Sequence, residues 1–324
     1  MLLSIIVTMG FDNQVNLGAP EIGDEFDHMA MAADADADFE LVIVDRAWPN
    51  RWGRVQEALG SMLHRVHYIP PKPCELVDRG YRAVNSMRNS GAMCSRGEVL
   101  LYVDDYFQLD ARSIERVCEV FEAERKLLCP VYMENFGPGP DVEGLSEFSG
   151  HNPGIYMCTR DQFCELGGYD ENFDGAYGEA DTDFQNRLDR MMWLRQKGLR
   201  FREHGVQFLY TKHANNELPE ERRAPWGEPS RSPSYLRCNR AFFRIVSTKR
   251  LETNDVVGNR IVSDEEIQRL RDEKCQDDCS ICNREDRDEQ VSSYRRFLPD
   301  ATVVEKAREA AHIDREPGCY NPWR

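Results

Sequence analysis

The chain has 324 residues, 41 basic against 57 acidic side chains for a formal net charge of −16, and is 41% hydrophobic and 10% aromatic. That length accommodates one large domain or two ordinary ones, and the hydrophobic content supports a real core, which excludes global disorder. The acidity argues against a surface that grips nucleic acid or an anionic membrane along its whole extent, and no run nears the roughly 18 apolar residues of a membrane span.

The opening "MLLSIIVT" is short for a signal peptide and lacks a basic start. Within it "LSIIVTM" (Leu3–Met9) is a continuous, β-branched-rich run that predicts a strand buried on both faces. Residues 16–38 mix acids, alanines and methionines and predict a helix and a loop. "FELVIVD" (Phe39–Asp45) predicts a second buried strand, ending in an aspartate, and "VHYIP" (Val66–Pro70) a short third one closed by prolines. Val77–Cys94 reads as a helix leading into "EVLLYVDDYFQLD" (Glu98–Asp110), where an apolar run ends abruptly in Asp104 and Asp105.

Apolar residues at 114, 117, 118 and 121 predict an amphipathic helix over 111–124. A strand "KLLCPVYM", a glycine- and proline-rich loop over 136–154 and a strand "IYMCT" follow. Beyond them come a Gly-Gly turn, an acidic loop, a long helix, and a last strand within 201–216 with His213 just past it. This alternation predicts an α/β fold with a mixed, mostly parallel sheet flanked by helices. Two of its strands end in aspartate, and ligands of open α/β sheets gather at the carboxyl ends of strands.

Composition shifts near residue 216, which divides the chain into a domain over 1–216 and a small, mainly helical C-terminal extension over 217–324. The extension begins with a proline- and glycine-rich stretch. Arg222 to Arg250 then carries eight basic residues against the single acid Glu228, a local reversal of the overall charge. Further on, Cys275, Cys279 and Cys282 stand in C-x3-C-x2-C spacing. Two readings stay open: a structural Zn²⁺ completed by Cys319 or His312, and free reduced thiols. The same spacing also occurs at iron–sulfur clusters. Eleven cysteines without a secreted-domain framework predict a reducing, cytoplasmic setting.

Adjacent aspartates at a strand end serve equally as solvated turn residues or as ligands of Mg²⁺ or Mn²⁺, which take one or two carboxylates together with substrate phosphate oxygens. Acids opening the long helix, among them Glu179, Asp181 and Asp183, would also stabilise its N-terminus.

The succession "LSIIVT", "FELVIVD", "RNSGAMCSRGEVLLYVDD" and "LGGYDENFDGAYGEADTDFQNRL" resembles the nucleotide-sugar-dependent glycosyltransferases of the GT-A (Rossmann-like) fold, most closely family 2, over about residues 3 to 215. The resemblance implies transfer from a nucleotide diphosphate donor, UDP-linked by expectation, to an acceptor hydroxyl with inversion. On it, Thr8 and Asp45 line the nucleotide pocket, with Asp45 accepting from the base. Arg88 and Asn89 match the Arg-Asn pair that precedes the metal strand and are expected, on the resemblance, to bind the donor. Asp104 and Asp105 hold Mn²⁺ or Mg²⁺ against the diphosphate, Asp181 is the catalytic base, and Glu179 is the fallback. The sequence departs from the pattern at Tyr106, where the metal motif has a third-position aspartate, and at Ala180, where an acid is usual. The first departure makes His213 the expected distant metal ligand. The basic segment 222–250 would serve as a lid over the donor or as an acceptor contact.

The acceptor stays open between saccharide, protein, lipid carrier and a modified DNA base. Two alternatives stand beside the transferase: a nucleotidyltransferase, and a non-catalytic module that binds sugar nucleotides or glycans.

Overall fold

A computed structural model of the chain describes residues 2–9, 25–73, 83–105, 107–124, 128–129, 155–174, 180–195, 199–200, 209–210 and 302–324. The first part of the chain forms β1 (Leu3–Met9), α1 (Glu25–Ala30), a 3-10 turn (Met31–Asp34), β2 (Phe39–Asp45), α2 (Trp52–Ala58), a second 3-10 stretch (Gly60–Arg65) and β3 (Val66–Ile69). Next come α3 (Val84–Cys94), β4 (Val99–Asp104), β5 (Phe107–Gln108), α4 (Ala111–Glu124), β6 (Leu128–Cys129), β7 (Ile155–Thr159) and α5 (Arg160–Glu165). A 3-10 turn (Glu171–Phe173), α6 (Ala180–Arg195), β8 (Leu199–Arg200), β9 (Leu209–Tyr210), α7 (Thr302–Ala310) and β10 (Gly318–Cys319) complete the described elements.

The main sheet has six strands in the order β10-β3-β2-β1-β4-β7. All neighbours are parallel except β7, which runs antiparallel to β4. This is the mixed, mostly parallel sheet with flanking helices that the alternation of elements predicts. The central strands are buried from Leu3 to Val7, Leu41 to Val44 and Val99 to Val103, as sheets covered on both faces require. From β1 the chain steps outward through β2 to β3 and then returns to β4 on the opposite side of β1. The order therefore reverses between β1 and β4, which marks the crevice where such sheets bind ligands. Among the described residues no helix is long and apolar enough to cross a membrane.

The short helix α3 departs from amphipathic behaviour. Its residues from Asn85 to Cys94 are all buried, although the first half reads Asn-Ser-Met-Arg-Asn-Ser. It lies on β1 and β2 with α7 packed against it. Gly91 permits the close approach, since a Cβ there would run into Ile6 Cγ2. Buried polar groups must find partners, and the partners of α3 build the site described below.

The last part of the chain, assigned by composition to the extension, returns to this same sheet. Helix α7 covers α3 and α5, and β10 pairs in parallel with β3, Gly318 opposite His67 and Cys319 opposite Tyr68. Val303 and Ala307 are part of the hydrophobic core. The fastening is Arg160, which is buried and donates to the carbonyls of Ala92 (3.0 Å), Ser95 (2.9 Å), Gly97 (2.9 and 3.1 Å) and Ala307 (2.6 Å). These bonds include the last turn of α3 and the carbonyl side of α7, where a cation suits the helix dipole. Periodicity in 302–310 shows a helix. It does not show that the helix docks on residues two hundred positions earlier.

At the amino ends of the strands, Glu40 is buried and accepts from Ser4 Oγ at 2.6 Å, Arg96 Nε at 3.1 Å and the Arg96 backbone N–H. His67 Nε2 stands 3.5 Å away and its Nδ1 lies 3.1 Å from the hydroxyl of Tyr320. Burial alone would push the Glu40 carboxyl up, but His67 and these donors outweigh it and bring it down to about 2.

Two predictions follow from these anchors. Replacing Arg160 with alanine leaves four carbonyl groups buried without their donor, so urea denaturation is expected to show a loss of about 3–5 kcal/mol; a loss under about 1 kcal/mol would mean that the tail is held by other contacts. Glu40, with its folded value depressed from 4.5 to about 2, contributes stability that is complete above pH 4.5 and lost as pH falls toward 2, on the order of 3 kcal/mol. Denaturation curves across that range should flatten in Glu40→Gln; an unchanged acid limb would refute the assignment.

Candidate functional site

The carboxyl ends of β1, β2 and β4 bring Thr8, Asp45 and Asp104 into one row, with Thr8 opposite Val44 on one side and Asp104 on the other, and Met9 opposite Asp45. Asp45 and Asp104 flank β1, so their backbones stand about 10 Å apart, two strand spacings. Asp105 follows in the turn after β4 and is half-buried.

Asp45 has no exposed surface, and its carboxylate is heavily engaged. Oδ1 accepts from the Ala47 N–H at 2.8 Å and from Arg51 Nη2 at 2.6 Å, while Oδ2 accepts from the Tyr68 hydroxyl at 2.7 Å. Burial pushes its carboxyl above the usual range, against the opposing pull of Arg51, Tyr68 and Ala47. Trp52 stacks on Tyr68 at 5.7 Å and completes this wall.

On the other side of β1, Arg88 joins two segments. Its side chain is 3% exposed; Nη2 donates to Asp104 Oδ1 at 2.8 Å and Nη1 to Asp181 Oδ1. Asp104 and Asp181 keep 19% and 26% of their side-chain surface, so both reach solvent. The guanidinium also lies 5.0 Å over the ring of Tyr169, which stacks on Phe184 of α6 at 3.9 Å and meets Tyr102 of β4 edge-on at 5.0 Å. One arginine thus fixes the end of β4, the first turn of α6 and the turn before α6 against each other.

Asn89, expected on the donor, clasps that turn. Its Oδ1 accepts from Tyr169 N at 2.9 Å, and its Nδ2 donates to Tyr169 O at 3.0 Å and Glu171 Oε1 at 2.7 Å. Glu171 is paired at 2.7 Å with Lys72, whose backbone N–H donates to Ser90 Oγ at 2.9 Å. Asp174 closes the first turn of α3, accepting from Asn85 N at 2.8 Å, Ser86 N at 2.8 Å and Ser86 Oγ at 2.7 Å. Ala83, the residue in the capping position, supplies no side-chain bond of its own. Burial, reinforced by the charge of Glu171, pushes the Asp174 carboxyl up to about 7. Asp183 is likewise enclosed, bonded at 2.8 Å to Arg187, which also donates to the carbonyls of Leu166 and Gly168.

Asp104 and Asp105 offer hard oxygen donors of the kind Mg²⁺ or Mn²⁺ takes when substrate phosphate and water supply the remainder. Among the described residues no group of three or more His, Cys, Asp or Glu side chains encloses a metal position. Among the described residues the donor set, Asp104 and Asp105, fits an ion shared with a substrate. His213, Tyr106, Glu179, the basic stretch 222–250 and Cys275, Cys279 and Cys282 lie outside the described residues. Cys319 is a free thiol in β10, and burial pushes it up.

Sequence reasoning missed Lys72 and Asp174. A lysine between prolines and one more acid in an acidic loop give no signal; their partners come from the fold.

The sequence matches no protein-family model and no curated protein. Solved structures with a similar course of chain include the mannosyltransferase PcManGT from Pyrobaculum calidifontis in complex with GDP-Man and Mn²⁺, at 12% identity and a TM-score of 0.44, covering 97% of this chain and 76% of that one. They also include S. aureus TarS 1-349 in complex with UDP-GlcNAc, at 12% identity and a TM-score of 0.47, covering 96% and 88%. The TarS complex with UDP gives 14% identity and a TM-score of 0.42, covering 95% and 92%.

Gly168 adopts φ +75, and a Cβ there would come within 2.9 Å of Asn89 Oδ1 and 3.0 Å of Phe163 Cζ. Gly168→Ala is therefore expected to cost about 1–3 kcal/mol, read by chemical denaturation. A variant as stable as the parent would show that the clasp on this turn is loose.

Proposed function

We propose that the chain is a nucleotide-sugar-dependent glycosyltransferase of GT-A type, with its site at the carboxyl ends of β1, β2 and β4. It would take a sugar from a nucleotide diphosphate donor, UDP-linked in the first instance, and pass it with inversion to an acceptor hydroxyl in a reducing, cytoplasmic compartment. The observation that carries the reading is the guanidinium of Arg88, bonded both to Asp104 at the end of β4 and to Asp181 at the start of α6. These are the aspartates to which the resemblance gives the diphosphate end and the acceptor end of a transferase site. Nothing in their spacing along the chain requires that they meet.

In this mechanism Thr8 and the wall around Asp45 receive the nucleoside. Asp104 and Asp105 would hold Mn²⁺ or Mg²⁺, with His213 as the distant ligand, and the cation would offset the charge gathering on the departing diphosphate. Asp181 takes the proton of the acceptor hydroxyl as its oxygen bonds to the anomeric carbon, while the bond from that carbon to the phosphate oxygen breaks on the opposite face. Arg88 orients the Asp181 carboxylate, and Glu179 is the neighbouring acid that could replace it. The basic stretch 222–250 would close over the donor.

A second reading is a non-catalytic module that binds sugar nucleotides, and Tyr106 in place of the third-position aspartate of the metal motif is the feature that favours it.

Donor hydrolysis and transfer, assayed over a panel of nucleotide sugars with and without Mn²⁺, separates the two. Asp181→Asn should lower turnover by roughly 10²–10⁴-fold while nucleotide affinity by calorimetry stays within about twofold. Unchanged turnover would remove Asp181 from the role of base. A parent protein that binds nucleotide yet turns over no donor with any metal would leave the binding module in place of the enzyme.

A further inference from the structure

We propose that Asp174 is a positioning residue of the site: by capping α3 from the turn that precedes α6, it sets where Arg88 holds Asp104 and Asp181. The role in turnover rests on the transferase reading; the effect on Arg88 does not.

The geometry is specific. Helix α3 begins without a local side-chain cap, leaving N–H groups of its first turn in need of acceptors. Asp174 supplies them from far along the chain, with one oxygen on Asn85 N and the other on Ser86 N and Oγ. Asn85 Nδ2 answers by donating to Asp170 O at 2.8 Å. The capped residues immediately precede Arg88 on the same helix, so a shift of the cap moves the guanidinium. At its other end Asp174 lies only a few residues before Asp181. It therefore constrains the Arg88–Asp181 pair through α3. Asn89, Lys72 and Asn85 grip the same turn at Tyr169, Glu171 and Asp170, and Asp174 stands closer to Asp181 in the chain than any of these three residues.

The charged and titratable groups around it are Glu171 and Asp170 on its own turn, Lys72 beyond β3 in its pair with Glu171, and Arg88 further along α3. Glu171 and burial together bring Asp174 up to about 7. Ionised above that pH, the carboxylate accepts all three bonds; protonated below it, the carboxyl loses the charge that suits a helix N-terminus.

The test joins a readout of geometry to one of turnover. Backbone amide signals of Asn85 and Ser86 should follow a titration near pH 7 in the parent that is absent in Asp174→Asn. The Arg88 Nε–H signal, assigned with Arg88→Lys, should shift in Asp174→Asn and less so in Ser86→Ala, which removes one donor and keeps the carboxylate. Turnover should fall about a hundredfold in Asp174→Asn, as a displacement near 1 Å would produce, with nucleotide affinity unchanged. Should Asp174→Asn not fold, Ser86→Ala carries the same readouts at smaller amplitude.

An unmoved Arg88 signal, or amides that do not titrate, overturns the proposal. So does an Asp174→Asn variant that turns over donor like an active parent. A parent that turns over no donor sinks the transferase reading instead, and the Arg88 signal alone then decides whether Asp174 positions it.

Discussion

A helix of polar residues has been buried on every side, and the rest of the site is the consequence. Helix α3 carries Asn85, Ser86, Arg88, Asn89 and Ser90 inside the protein. Each such group left without a partner would cost about 1–3 kcal/mol. The fold answers each of them: Asp174 at Asn85 and Ser86, Asp104 and Asp181 at Arg88, Tyr169 and Glu171 at Asn89, and the Lys72 backbone at Ser90. Apart from Ser90 Oγ, which also donates to Ser86 O within the helix, these bonds reach to other segments, so α3 ties β4, the turn over 167–174 and the start of α6 into one arrangement. Buried polar networks of this kind hold one geometry rather than adding much net stability, although Asn85 Oδ1 has no partner among the described residues.

Two buried arginines show how burial and partner type divide structural from chemical work. Arg160 donates to carbonyls at the ends of helices and to the loop after α3, neutral acceptors that have no chemistry to perform. Arg88 is paired with carboxylates that retain contact with solvent. The sheet is divided similarly along its strands. At the amino ends, Glu40 is enclosed by Ser4, Arg96 and His67 and locks β1, β2 and β3 together. At the carboxyl ends Asp104 and Asp105 keep contact with solvent beside β1, where the strand order reverses, while Asp45 is covered.

The strands were legible because continuous apolar runs are a local signal, and Leu3–Met9, Phe39–Asp45 and Ile155–Thr159 fall at the observed bounds. Helix α4 was legible for the same reason, its apolar stripe meeting the core through Ile114, Val117, Cys118 and Phe121. What could not be read was partnership. Asn89 stands in a motif associated with donor binding, yet its amide is consumed by the backbone of Tyr169 and by Glu171. Asp183 looks like a second acid of the site and is paired inside its own helix with Arg187. The return of the tail to β3 escaped notice because β10 is two residues long and its driving contacts, Trp323 Nε1 on Pro70 O at 3.0 Å among them, join positions that composition cannot relate.

That return bears on Asp45 through a short chain of contacts, the side of the site that the proposed function gives to the nucleoside. Residue Cys319 of β10 stands opposite Tyr68, and the Tyr320 N–H donates to Tyr68 O at 3.2 Å, so the tail supports the backbone of β3 at the residue whose hydroxyl holds Asp45. Asp45 in turn holds Arg51. A carboxylate accepts about four hydrogen bonds, and Asp45 already takes three from within the protein. A base that donates to Asp45 must therefore use the remaining lone pair or displace Arg51, whose side chain is 20% exposed while that of Asp45 is fully covered. Of the three internal donors Arg51 is the one able to swing outward, since Tyr68 is fixed by β10 and Trp52, and Ala47 is backbone. On the proposed function, recognition of a nucleoside would turn on the movement of Arg51 against a wall that the end of the chain supports.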